Sequence, residues 1–448
     1  MSYETAVAQI YALGHELAQA PPHKFDLAHM RVLLAALGHP ENRFPSVLIA
    51  GTNGKGSTAA TLASILQASG LKTGLYTSPH LVRINERIRL HGEPIGDDDF
   101  ALLHDVVDRT AERLVSEGDL PWHPSFFEML TAMAFEYFAR SNPDMVVLEV
   151  GMGGRLDATN VVDPRLSIIT DIALDHQKYL GETIAEIARE KAGIIRPDGV
   201  VVTLPQLPEA NEVIGNAIFN AGAQAVNAVP YVPPVSPGSD PFASAQEQRY
   251  PLDVDGQTIM VESPLVGRHQ LRNLALAIAA AEELHHRGIT QITPETIAQG
   301  IRQTQWPARF QMLPATGDSP ECVLDVAHNP AGAWALRSTL SAAYPDGREI
   351  TIVFGVMRDK AVREITEILF PIAQHVIVTH ANNPRSASPD EIRQAAARVA
   401  YGMDIREADN VTSALKQART TAGPSGLIVV TGSIYVVGEA MRTLGVSI

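Results

Sequence analysis

A chain of 448 residues is longer than one compact core accommodates, and its 45% hydrophobic and 19% charged residues describe a soluble globular protein, so two domains are expected. The formal net charge of -15 argues against a nucleic-acid partner, whose phosphates need clustered Lys and Arg. The single cysteine, Cys322, excludes an intramolecular disulfide and a Cys-based metal site, and no apolar run reaches about 18 residues, so a cytoplasmic protein without signal peptide or membrane span is expected.

In chain order, residues 46–50 predict a buried strand, and AGTNGKGST at 50–58 follows it with a Gly-rich turn and Lys55 before a helical run at 57–69. Glycines let backbone N–H groups turn toward a polyphosphate, the following helix offers its positive end, and Lys55 adds a point charge. A Gly-rich turn can also be a plain loop, and the spacing departs from GxxxxGK[ST], because Gly56 stands before the hydroxyl pair Ser57 and Thr58. Further strands are expected at 73–77, 145–150, 166–170 and 200–204, with helices between them, as at 125–140 and 183–192. This alternation implies a mostly parallel sheet covered by helices on both faces, with ligands at the carboxyl ends of its strands.

Prolines from Pro230 to Pro241 forbid regular structure in VPYVPPVSPGSD, which reads as a surface excursion. A hairpin follows, 250–255 and 257–261, turned at Asp255 and Gly256. Helices at 271–287 and 294–303 close a first domain of residues 1–303, and 304–307 is the expected linker. Over 308–448 the alternation restarts, with strands at 322–326, 350–354, 375–379 and 427–431 and helices at 331–343, 360–369, 389–401 and 433–444. These predict a second, smaller Rossmann-like α/β domain.

Acids, hydroxyls and a histidine recur at the strand ends. Glu149 closes MVVLEV, where a carboxylate can hold magnesium opposite phosphates; Ser78 follows GLYT, and His176 follows ITDIALD. Each alone has an ordinary structural reading as turn residue, exposed charge or structural histidine, and their shared position beside a phosphate loop favours the functional one. GMGGRLDATN, 151–160, is too rich in glycine for regular structure and suits a backbone that approaches a ligand closely. Arg83, Arg87 and Arg89 in TSPHLVRINERIRL place planar cations near the same edge, suited to carboxylate or phosphate, or form a solvated strand and turn.

GTNGKGST, LYTSPHLVRINERIR, EVGMGGRLDATN, DHQKYLGETIAEIAREKAGI, GRHQLRNLALA and LDVAHNPAG, in this order, closely resemble the folylpolyglutamate synthase and bifunctional dihydrofolate synthase/folylpolyglutamate synthase family of the Mur ligase superfamily. The resemblance runs from Phe25 to Gly438, and 229–248 lies outside its motifs. It implies a P-loop, Mur-ligase-like first domain and an ATP-dependent amide ligase that joins L-glutamate to tetrahydrofolate-type folates or to 7,8-dihydropteroate. By this resemblance Gly51, Thr52, Asn53, Gly54, Lys55, Gly56, Ser57 and Thr58 hold the triphosphate, Ser78 and Glu149 one Mg2+ ion, and Glu149, His176 and Lys191 a second. An ammonium has no lone pair for a metal, so the family carbamylates the lysine equivalent to Lys191. Asn273 resembles the residue that reads adenine, Arg309 one that reaches the terminal phosphates, and Asp325 and His328 residues that meet ribose and phosphate. Arg83, Phe127, Asp157 and Ala158 resemble a folate-binding set, although Phe127 could equally be a core aromatic.

The implied mechanism phosphorylates the substrate carboxylate and lets the glutamate amine attack the acyl phosphate, with His328 or solvent as base. The family suggests a monomer. A ligase of the same superfamily acting on another carboxylate and a nonenzymatic ATP switch are the alternatives; a switch would not require the Glu149, His176 and Lys191 set or a second domain with Arg309 and His328.

Overall fold

The computed structural model describes residues 1–14, 26–233, 248–317, 319–345, 347–399 and 401–446. Its first half runs α1 (Tyr3–Ala12), α2 (Leu27–Ala36), β1 (Ser46–Ala50), α3 (Lys55–Ala68), β2 (Thr73–Tyr76), β3 (Ile88–Leu90), β4 (Glu93–Pro94), α4 (Asp97–Glu117), α5 (Phe126–Ser141) and β5 (Met145–Glu149). It continues with β6 (Leu166–Ile169), α6 (Gln177–Leu180), α7 (Ile184–Ala192), β7 (Val200–Thr203), α8 (Pro208–Ala221), β8 (Gln224–Asn227), β9 (Gln248–Val254), β10 (Gln257–Ser263), α9 (Arg268–His286) and α10 (Pro294–Gln303). The second half comprises β11 (Gln311–Leu313), β12 (Glu321–Leu324), α11 (Pro330–Ala343), β13 (Ile350–Phe354), α12 (Val362–Leu369), β14 (His375–Val378), α13 (Pro389–Ala395), β15 (Asp404–Glu407), α14 (Val411–Ala422), β16 (Leu427–Thr431) and α15 (Ile434–Leu444).

The first sheet has the order β4-β3-β2-β5-β1-β6-β7-β8, parallel except where β3 joins β2 and β4. Every residue of β1 and β5 is buried, as expected for aliphatic strands covered on both faces. Successive residues point to opposite cores: Leu48 and Leu148 pack with α2, α4 and α5, while Val47 and Val147 pack with α3, α9 and α10. The second sheet, β11-β12-β16-β13-β14-β15, is parallel apart from β11 and has cores on both faces of its own. The expected α/β class and parallel sheets are therefore present.

Local chemistry explains several boundaries. Asp255 and Gly256 turn the β9–β10 hairpin with φ of 49° and 74°, the left-handed pair that matches strand twist, as the Asp-Gly signal predicts. Ser125 caps α5 while Glu128 returns a bond to its backbone, a capping box. The helix expected over 389–401 ends at Ala395, and tight turns such as Ala397 N–H to Gln394 O replace it. Of the Pro-rich excursion, 234–247 lies outside the described residues, while Val229–Tyr231 forms a short 3-10 turn. Among the described residues no helix is long and apolar enough to cross a membrane.

Candidate active site

One cleft of about 2010 Å³ opens where the carboxyl ends of the two sheets face each other. Its floor is the loop between β1 and α3. Gly54, with φ of 88°, is the N-cap of α3, and a Cβ there would lie 2.0 Å from Asn273 Oδ1, so only glycine suits both the backbone and the space. Gly51 is equally crowded, by Thr170. Thr52 and Asn53 donate their N–H groups to Asp171 O at 2.9 and 3.1 Å, and Arg272 on α9 grips the Asp171 carboxylate at 2.6 Å. The phosphate loop is thus tied to the end of β6 and, through Asn273, to α9. Lys55 Nζ donates to the Gly51 and Thr52 carbonyl oxygens at 3.2 and 3.3 Å.

Beside this floor Lys191 on α7 is buried, with Nζ donating to Gly51 O at 2.6 Å. Burial first, and the neighbouring Lys55 charge second, push its ammonium down to about 7. Glu149, also buried, closes β5 and accepts the Ser78 N–H at 3.1 Å. His176 follows the same β6 loop; burial and then the Lys360 charge depress its imidazole to about 3, and its buried Nδ1 has no hydrogen-bond partner among the described residues. A carboxylate, a hydroxyl and an imidazole held neutral thus line the same cleft as a lysine whose amine burial makes easier to deprotonate.

From the second half, Asp325 follows β12. Its two oxygens accept the Phe310 N–H and the Ala327 N–H, both at 2.9 Å, and so pin the segments that carry Arg309 and His328. Burial raises the Asp325 carboxyl, against those two hydrogen bonds. Arg309 donates to Ala308 O and lies 5.8 Å from the Trp306 ring; burial lowers its guanidinium against the charges of Asp325 and Glu149. His328 Nδ1 meets Val326 O at 2.9 Å, leaving Nε2 3.6 Å from Asp175.

The far end of the cleft is aromatic. Phe127 fills the space a side chain at Gly151 would need, its ring closest approach being 2.5 Å from that Cβ position. Trp122 and His29 meet edge to face at 4.6 Å. Asp157 accepts the Met152 and Thr159 N–H groups, and burial raises its carboxyl in spite of them.

Of the residues singled out in the sequence, Gly51 to Ser57, Ser78, Phe127, Glu149, Asp157, Ala158, His176, Lys191, Asn273, Arg309, Asp325 and His328 line the cleft. Two do not. Thr58 is fully buried and bonds Asn273 O at 3.4 Å, a tie between α3 and α9. Arg83 lies outside the cleft lining, paired with Asp97 at 2.6 Å and stacked over Tyr3 at 5.3 Å, because the acidic start of α4 satisfies it locally. Arg87 and Arg89 are likewise spent internally, on His80 and on the Glu86 and Gly92 carbonyls. Sequence reasoning missed Asp175, Asn329, Lys360, Trp122 and His29, all in the lining or bonded to it. Asn329 was findable: Asn before Pro330 is an N-cap followed by proline at the first helical position.

Comparison with known proteins agrees with this geometry. The Mur ligase middle domain matches residues 102–281, and the Mur ligase glutamate ligase domain matches 308–434. The chain is 35% identical to a folylpolyglutamate synthase of Lacticaseibacillus casei over 99% of each protein. It is 34% identical to a dihydrofolate synthase/folylpolyglutamate synthase of Bacillus subtilis over 93% of this chain and 94% of that one. A solved folylpolyglutamate synthase from Mycobacterium tuberculosis, complexed with ADP, superposes with a TM-score of 0.89 at 32% identity, covering 100% of this chain and 99% of that chain. A phosphate loop sharing one cleft with Glu149, His176 and Lys191, in a sequence related over nearly its whole length, places this chain in the folylpolyglutamate synthase/dihydrofolate synthase family of Mur ligases, ATP-dependent ligases that form carbon–nitrogen bonds.

Proposed function

We propose that this protein joins L-glutamate to the carboxylate of a tetrahydrofolate-type folate, and also to 7,8-dihydropteroate, at the expense of ATP. The observation that carries the reading is the convergence, in one cleft, of the Lys55 loop, the buried Glu149 and Lys191 with the half-buried His176, and an aromatic end formed by Phe127, Trp122 and His29. In this reading the division falls at 304–307, the protein is a cytosolic monomer, and one nucleotide spans both domains.

A carboxylate is a poor electrophile, so one of its oxygens first attacks the γ-phosphorus of ATP, the bond to ADP breaks, and an acyl phosphate forms. The glutamate amine then attacks the acyl carbon and inorganic phosphate leaves with the electron pair. Backbone N–H groups of 51–57 and Lys55 stabilise the charge on the transferring phosphoryl group. Asn273 meets the base, and Arg309 and His328 approach the phosphates from the second domain. His328 Nε2, near the Asp175 carboxylate at 3.6 Å, is suited to take the proton from the attacking amine. Phe127 stacks on the heterocycle, and Asp157 with Ala158 meets its edge.

In this reading Ser78, Glu149, His176 and Lys191 would hold two Mg2+ ions. The donor set is a carboxylate, a hydroxyl and a neutral imidazole with an unpartnered Nδ1. Bound there, the ions would neutralise phosphate charge. An amine depressed to about 7 is substantially neutral near physiological pH, the form that adds to CO2 and releases a proton, so Lys191 is suited to become a carbamate.

The test is phosphate release with ATP, Mg2+ and glutamate, comparing dihydropteroate with tetrahydrofolate and weighing products by mass spectrometry. Glutamylation of both is expected, and of one alone assigns a single step. ATP turnover indifferent to both acceptors would overturn the folate reading in favour of another carboxylate or a switch.

A further inference from the structure

We propose that Lys360 is a positioning residue and Asp175 its receptor, the ion pair between them latching the second half of the molecule closed over the phosphate loop. Lys360 Nζ lies 2.6 Å from Asp175 Oδ1, and the two side chains are only 8% and 7% exposed. Surface pairs such as Arg113–Glu117, at 50% and 49%, are screened by water and contribute little. A desolvated pair behaves differently: removing one partner strands a buried charge.

Both ends of the latch are held rigidly. Asp175 belongs to the segment after β6 that is stitched to the phosphate loop, where Asp171 O takes two loop N–H groups and Thr52 Oγ1 meets the Ala173 backbone at 3.1 Å. Lys360 belongs to the loop after β13, fixed by Arg358 N–H to Arg385 O at 2.8 Å and by the Arg385–Asp359 pair at 2.8 Å. Asn329 reinforces the contact. Its Oδ1 caps α11 through Gly332 N–H, while its Nδ2 reaches Asn53 Oδ1 at 2.9 Å and Asp175 Oδ2 at 3.3 Å.

Losing the Lys360 charge leaves Asp175 desolvated, and separating the two halves relieves it by admitting water. His328 and Arg309 then leave the phosphate loop together, because Asp325 binds both of their segments. The consequence for turnover rests on the nucleotide occupying this cleft. The consequence for closure does not.

Spin labels at Glu209→Cys and Thr420→Cys, exposed positions in opposite halves, report the separation by double electron–electron resonance, while the buried native Cys322 stays unlabelled. In ligand-free protein the native distance distribution should be narrow, and Lys360→Met and Asp175→Asn should each lengthen and broaden it, the double variant no further. Turnover should fall about 100-fold in Lys360→Met, the scale of a 1 Å misplacement, with the melting temperature of each half retained. An unchanged distance in folded Lys360→Met overturns the latch, as do effects of the two substitutions that multiply in the double variant. Should Asp175→Asn fail to fold, the Lys360→Met distance alone decides, and it does so whether or not folates prove to be substrates.

Discussion

Lys191 has nothing to recommend it until its surroundings are known. Four residues earlier in its helix Ile187 is fully buried, and the same face carries the ammonium into the interior beside Gly51. Its ordinary value of 10.5 falls to about 7, so the amine is protonated below that pH and neutral above it. Carbamate loading should therefore rise as pH climbs through about 7, and 13C NMR with labelled bicarbonate would follow it. Lys191→Ala should lower turnover by at least about 10-fold, the effect typical of losing even an outer partner of a metal site. Normal turnover in that variant, insensitive to bicarbonate, would remove both the carbamate and the metal assignment.

The helix packing behind the phosphate loop is tight enough to test directly. Gly300 on α10 meets α3 so closely that a Cβ would sit 2.3 Å from Ile65 Cα, and Ser64 Oγ donates to Gly300 O at 2.6 Å. Backbone cannot yield as a side-chain end can. Gly300→Ala should force the helices apart and cost about 1–3 kcal/mol in denaturant unfolding, and an unchanged midpoint would overturn this expectation. The same elements separate what the sequence revealed from what it hid. β1 and the loop after it were legible because an aliphatic run, glycines and a lysine stand in line, and the hairpin because Asp255-Gly256 demands a left-handed turn. β8 and β15, both edge strands of polar sequence, QAVN and DIRE, gave no aliphatic signal because they are not covered on both faces. α4 passed unseen, opening on three aspartates. The pairing of Arg83 was hidden because its partner Asp97 is a tertiary fact, and Lys360 was invisible because 185 positions separate it from Asp175.

At the scale of the whole molecule, an acidic chain balances the acids of its cleft with cations drawn from both halves. Lys55, Lys191, Arg309 and Lys360 all line the cleft between two separately cored halves in a protein of net charge -15. A nucleotide held by both halves should stabilise both. Calorimetry with a non-hydrolysable ATP analogue at 100 times its dissociation constant should add about 2.7 kcal/mol. The unfolding of the second half should shift with that of the first, and a shift confined to one half would mean the nucleotide touches only that half.

Gly54 has one further consequence, for heredity rather than chemistry. The volume its missing side chain leaves is taken by the Asn273 amide, 219 positions away in the chain and 2.0 Å from where a Cβ would stand. A mutation at either codon meets the other residue as an obstacle or a void. Substitutions at the two positions are therefore expected to be coupled, and lineages that alter Asn273 to reshape the loop around Gly54 in the same step.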